Sequence, residues 1–176
     1  MRPIFFLVAM SFFIPSYFRA SITPRYHLLI YKSKRTLTLL NGPTTVRTYG
    51  IALGSSPLGP KGREGDMWTP QGLYRIVAKN NASKFHLSLQ LNYPNIADAM
   101  LAKSSGVISS SDYEQIVKAN HQRFVPPQHT PLGGDIFIHG GGIGKDWTWG
   151  CVALDNRDIE VLFKLLKVGT RVEINP

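Results

Sequence analysis

From Phe85 to Leu91 the chain puts a large apolar residue at every second position: Phe85, Leu87, Leu89 and Leu91 alternate with His86, Ser88 and Gln90. Only an extended backbone, whose side chains leave its two faces in turn, gathers such residues on one side. The run is therefore a half-buried strand with His86 on its polar face. Further runs of β-branched and aromatic residues precede it at Tyr26 to Tyr31, Thr36 to Leu40, Thr44 to Tyr49 and Leu73 to Ala78. Turn chemistry punctuates them at Lys32-Ser33-Lys34-Arg35, Asn41-Gly42-Pro43 and Lys79-Asn80-Asn81-Ala82-Ser83. Helical spacing is confined to three segments. Asn95 is suited to cap Ile96 to Lys103, and Ser109 to Ser111 a run in which Tyr113, Ile116 and Val117 share a face. Asp155 or Asn156 is suited to cap a third, carrying Ile159, Leu162, Phe163 and Leu166. Gly169 ends that helix, and Thr170 to Ile174 returns as a strand. Many short strands with few helices predict a mainly β fold with peripheral helices.

Gly50 to Gly65, rich in glycine, proline and serine, reads as a long exposed loop on this framework. Gly65-Asp66 and Thr69-Pro70-Gln71-Gly72 then form a turn, and Asp66 is expected first of all to shape it. His27 and His86 read as strand-surface residues. His121 and His129 flank Pro126-Pro127 in an irregular stretch and are also expected at the surface.

The amino terminus has one early arginine, an apolar run from Pro3 to Phe13 and a small residue at Ala20. This pattern predicts a secretory signal over 1–20, cleaved or retained as an anchor, ahead of one domain over 26–174. The formal net charge of +9 attracts polyanions, but no zinc-finger spacing, RNP-like aromatic motif or lysine-rich tail accompanies it. A nucleic-acid partner is set aside, and an anionic cell wall or membrane surface fits an exported chain.

Chemistry is concentrated in Asp135 to Leu154, which reads D-I-F-I-H-G-G-G-I-G-K-D-W-T-W-G-C-V-A-L and holds the only cysteine. Ile136-Phe137-Ile138 carries His139 to a strand end, glycines turn the chain, and a loop returns it to Gly150-Cys151. A lone cysteine with a histidine across a loop points to a thiol nucleophile, Cys151, and its general acid and base, His139. Such a pair is expected to hold the thiol below its ordinary pKa. Backbone N–H groups of Gly150 and Cys151 are suited to an oxyanion, because glycine before the nucleophile leaves room for close approach. Rival chemistries fit poorly. Gly140 to Lys145 lacks the Walker A glycine at His139 and the Ser or Thr at Asp146. Asp135, His139, Asp146 and Cys151 have no recurring zinc-ligand spacing, so no metal is expected. No flavin or nicotinamide motif is present, so no cofactor is expected.

Ile138-His139-Gly140 and Thr148-Trp149-Gly150-Cys151 resemble the catalytic motifs of the L,D-transpeptidase catalytic domain, the YkuD-like family. The likeness runs from Tyr26 to Ile174 and includes Gly65-Asp66, Thr69-Pro70-Gln71-Gly72-Leu73-Tyr74 and Val168-Gly169-Thr170-Arg171-Val172. Asp146-Trp147-Thr148-x-Gly-Cys places the chain in one branch. The commoner motif has histidine at Trp149 and often Arg or Asn at Ala153. The resemblance implies an L,D-transpeptidase-type β-sandwich, a location in the periplasm or cell envelope, and peptidoglycan stem peptides as partners. It also implies that the Gly140 carbonyl orients His139, that Trp149 and Thr148 contact substrate, and that Asp66 borders the groove. Acylation of Cys151 by a tetrapeptide stem would give a thioester. Transfer to an amine of another stem or of a wall-linked lipoprotein is transpeptidation, whereas water makes the enzyme a carboxypeptidase or amidase. A non-catalytic peptidoglycan-binding module is the reading of another class, and it requires Cys151 buried and His139 out of reach.

Overall fold

The computed structural model describes residues 25–56 and 59–176, so the expected signal lies outside the described residues. Its elements are β1 (Tyr26–Tyr31), β2 (Thr36–Asn41), β3 (Thr44–Gly50), β4 (Gly72–Ser83), β5 (His86–Leu91), α1 (Ile96–Ser104), α2 (Ser110–Gln122), β6 (Phe137–His139), β7 (Val152–Ala153), α3 (Asn156–Leu165) and β8 (Arg171–Asn175). The mainly β expectation holds. The strands form one mixed sheet in the order β3-β2-β1-β8-β4-β5-β6-β7, with β1–β8 and β6–β7 parallel.

Strand β4 joins the two layers that a sandwich would keep apart. Gly72 to Arg75 pair with β8, and Ile76 to Ser83 pair with β5, so one continuous strand turns the corner. The sheet curls until the segment after β3 meets β7. Ala52 N–H donates to Ala153 O at 3.0 Å, and Ala153 N–H returns the bond at 2.8 Å. The interior is filled by alternate residues of the strands, among them Leu28, Ile30, Leu37, Leu39, Ile76, Leu89, Leu91 and Ile138, with Ile159 and Leu162 of α3 laid over it. Each such side chain contributes about 1.5–3 kcal/mol by leaving water.

Local signals and outcome differ at three places. The polar residues Lys79 to Ser83, read as a turn, continue β4, because ladder bonds to β5 outweigh the weak strand propensity of asparagine and lysine. Phe85 drops out of β5, since His86 takes a φ of +77° and the strand begins there. Asn95 and Ser109 cap α1 and α2 with complete capping boxes, as expected. Asp155 occupies the N-cap of α3 without a side-chain cap, and Asn156 Oδ1 accepts from Gly141 N–H at 2.9 Å instead.

Candidate active site

Phe137 and His139 lie on one face of β6, two residues apart in an extended strand. The neighbouring β7 runs parallel with Ile138 opposite Val152 and His139 opposite Ala153. Cys151, one residue before β7, therefore falls beside Phe137 and diagonal to His139 on that face. Both side chains line one cleft of about 940 Å³, together with Lys61, Ser88, Asp135 and Trp149.

His139 is only 2% exposed. Its Nδ1–H donates to Gly140 O at 2.6 Å. A carbonyl can only accept, so this bond puts the neutral ring's proton on Nδ1 and leaves Nε2 as the acceptor. The ring stacks on Phe85 at 4.6 Å between centroids and 22° between planes, and Trp147 meets it edge-on at 5.6 Å. Trp147 is itself fixed by Nε1–H donating to Gly142 O at 3.1 Å. Burial among these rings lowers the imidazole pKa, and the Gly140 bond opposes it in part. Only glycine fits at 140, because a Cβ there would lie 2.5 Å from Asn156 Oδ1 and 2.8 Å from Phe85 O.

The Cys151 sulfur accepts from Phe137 N–H and donates its proton to Asp135 O, each at 3.4 Å. It makes no hydrogen bond to His139. The expectation of a depressed thiol is corrected here: burial pushes it up to about 11, with the Asp135 charge adding to the rise and Phe137 N–H and Lys61 opposing it. Low-dielectric surroundings penalise the thiolate and the imidazolium alike.

The other expected site residues separate into rim, loop and framework. Trp149 is 79% exposed and stands at the cleft edge. Thr148 is buried and its hydroxyl is occupied, donating to Cys151 O at 2.8 Å and accepting from Gly150 N–H at 3.2 Å. Gly150 needs its φ of +120°, and a Cβ would come within 2.6 Å of Trp68 O. Its N–H is thus engaged by Thr148, whereas Cys151 N–H has no acceptor among the described residues. Asp66 is not part of the cleft lining. Its Oδ1 accepts from Lys61 Nζ at 2.7 Å and Trp68 N–H at 3.0 Å, and its Oδ2 from Gly62 and Arg63 N–H at 2.8 and 3.0 Å. Burial alone would raise this carboxyl, but the four hydrogen bonds outweigh it and hold the pKa below the usual value. Asp66 thus shapes its loop, and its neighbours Gly65 and Met67 line the cleft.

Asp146, weighed with the zinc rival, is tied to Arg35 by Nε and NH2 hydrogen bonds of 3.0 and 2.7 Å to Oδ2. Its Oδ1 accepts from Leu53 N–H at 2.8 Å, so this pair fastens the loop between β6 and β7 to the β1–β2 turn. His86 stays at the surface against Glu160 at 2.8 Å. His129, expected at the surface, is exposed and also lines the cleft. Sequence reasoning missed Phe85, Trp147, Lys61 and the Asp135 carbonyl as neighbours of the pair. The Asp-Trp-Thr wording marked Trp147, but nothing local says that it packs on His139.

Comparison with known proteins agrees with this architecture. The YkuD family model, described as the L,D-transpeptidase catalytic domain, matches residues 25–174. No curated protein matches by sequence. Among solved structures, the helical cell shape determining protein Pgp2 from Campylobacter jejuni has a TM-score of 0.60 at 22% identity, covering 87% of this chain and 48% of that one. Bdellovibrio bacteriovorus Bd1075 gives 0.53 at 21% identity, covering 86% and 48%. Mycobacterium tuberculosis L,D-transpeptidase 1 gives 0.52 at 12% identity, covering 87% and 62%. The likeness at these identities is one of fold, and the chain spans about half to three fifths of those proteins.

Proposed function

The chain belongs to the L,D-transpeptidase catalytic domain family, and from that premise we propose that it is a cysteine acyltransferase acting on peptidoglycan stem peptides in the cell envelope. The observation that carries the reading is the Nδ1–H bond from His139 to Gly140 O, which leaves Nε2 unprotonated in the cleft that holds the free Cys151. In this reading Cys151 turns its sulfur from Asp135 O toward His139 when the donor peptide enters. Nε2 takes the thiol proton as the sulfur attacks the scissile carbonyl, so the thiolate need not exist in the free protein. A neutral buried imidazole suits a base better than an imidazolium would.

The carbonyl oxygen then carries the charge. Cys151 N–H, without an acceptor among the described residues, is the ready donor, and Gly150 N–H joins it if Thr148 yields. His139 returns its proton to the leaving amine, and a thioester remains on Cys151. An incoming amine, or water, gives its proton to the same nitrogen as it attacks the thioester carbonyl; the C–S bond then breaks, the acyl group leaves on the acceptor, and His139 returns the proton to the Cys151 sulfur. Trp149 walls the rim by apolar and stacking contact, without moving protons.

The test is incubation with tetrapeptide-stem muropeptides and identification of products by mass. Cross-linked stems or a stem joined to an added amine support transfer, and a shortened stem alone assigns the chain to the hydrolytic alternative. No change in any stem, with the fold intact, would leave a peptidoglycan-binding module.

A further inference from the structure

Lys61 is a second charged group built into the cleft, and the mechanism above does not use it. It is 7% exposed and lines the same cavity as Cys151. Its ammonium donates to Arg63 O at 3.0 Å and to Asp66 Oδ1 at 2.7 Å. An ammonium has three N–H bonds, so one remains without an acceptor among the described residues. The ion pair is also oriented: Lys61 faces the cleft, and Asp66 lies behind it, turned into its own loop. Three backbone N–H groups share the negative charge of Asp66, which weakens its hold on the cation facing the cavity.

This loop is coupled to the one that holds the sulfur. Glu64 N–H donates to Pro131 O at 2.9 Å, and a Cβ on Gly133 would stand 3.3 Å from Glu64 Cα and 3.5 Å from Lys61 Cε. Two residues later Asp135 O receives the Cys151 proton. We propose that Lys61 is an electrostatic positioning residue for Cys151: its buried charge, fixed by Asp66, stabilises negative charge on the sulfur as the proton leaves for His139. The inference rests on Cys151 being the nucleophile. The other ionisable groups lining the cleft are Glu64, Lys84, His129, Asp135 and His139. Asp135 opposes Lys61 at the sulfur, and no other buried cation shares the cleft among the described residues.

The experiment reads the sulfur at pH 7, where a lysine is charged, by its rate of alkylation with iodoacetamide, with Cys151→Ser as the blank. Lys61→Met is expected to slow alkylation about three- to tenfold, the equivalent of half to one pH unit in the thiolate fraction and less than the ~1–3 units of a charge in direct contact. Lys61→Arg is expected to stay near the parent. Asp66→Asn removes the countercharge and is expected to speed alkylation. The opposite signs are the diagnostic feature, because mere slackening of the loop would move both variants the same way. Equal rates in the parent and Lys61→Met, or a slower rate in Asp66→Asn, would overturn the inference. If Lys61→Met does not fold, Asp66→Asn decides alone. Acyl-enzyme formation by the parent is measured alongside. Its absence would refute the nucleophile reading, while its presence with unmoved alkylation rates would refute only the role of Lys61.

Discussion

Replacing Thr148 by valine keeps the shape of the side chain and removes one oxygen, which isolates what that oxygen does. The hydroxyl bridges the Gly150–Cys151 turn, donating to Cys151 O and accepting from Gly150 N–H. Both backbone groups lose their partner in Thr148→Val. A buried group left unsatisfied costs about 1–3 kcal/mol, with the part-buried Cys151 carbonyl at the lower end because water can reach it. The sum is about 2–4 kcal/mol, without a cavity term, since no volume is lost. For a domain of this size that lowers Tm by roughly 5–14 °C. Thermal unfolding followed by circular dichroism, with guanidinium titration for the free energy, measures it. Thr148→Ser keeps the oxygen and is expected to recover most of the loss. A Thr148→Val protein within about 0.5 kcal/mol of the parent, the range of an ordinary surface change, would refute the claim that this hydroxyl holds the loop.

Phe85→Ala uncovers one face of His139 and is expected to raise the imidazole pKa toward its ordinary value, since desolvation is what lowers it. An NMR titration that stays at the parent position would contradict this. Trp149→Phe is expected to keep the acylation rate within about threefold, the equivalent of roughly half a kcal/mol, and complete loss would instead make the indole N–H a required donor. Asp98 in the α1 capping box is raised by burial to about 7, with hydrogen bonds from Asn95 N–H and Tyr74 pulling the other way. Its proton is held more tightly in the folded chain, so its contribution to stability is full below about pH 4 and falls as pH rises toward 7. Asp98→Asn should flatten the dependence of stability on pH across that window, and an unchanged slope would show that Asp98 does not set it.

Elements whose stability is local were legible in the sequence. The β1–β2–β3 meander has its own turn residues, Asn95 and Ser109 carry their capping boxes within three residues, and α3 has an apolar stripe. His139 at a strand end and Cys151 before the last helix were legible too, because glycines punctuate the chain around them. What depends on distant pairing was not. Lys79 to Ser83 extend β4 only because β5 lies beside them, and Phe85 leaves its strand to cover a histidine more than fifty positions away. The thiol is a third case. A cysteine and a histidine in one motif suggest an ion pair, but burial and the bonds to Asp135 O and Phe137 N–H are properties of the assembled cleft.

Intact-mass spectrometry of the protein mixed with a tetrapeptide-stem muropeptide tests the central claim most directly. The account predicts an acyl adduct on Cys151 in the parent, none in a folded Cys151→Ser protein, and formation slowed by about 10²-fold or more in His139→Ala, the usual cost of losing a positioned general base. An adduct that persists in Cys151→Ser, or forms equally fast in His139→Ala, would contradict it.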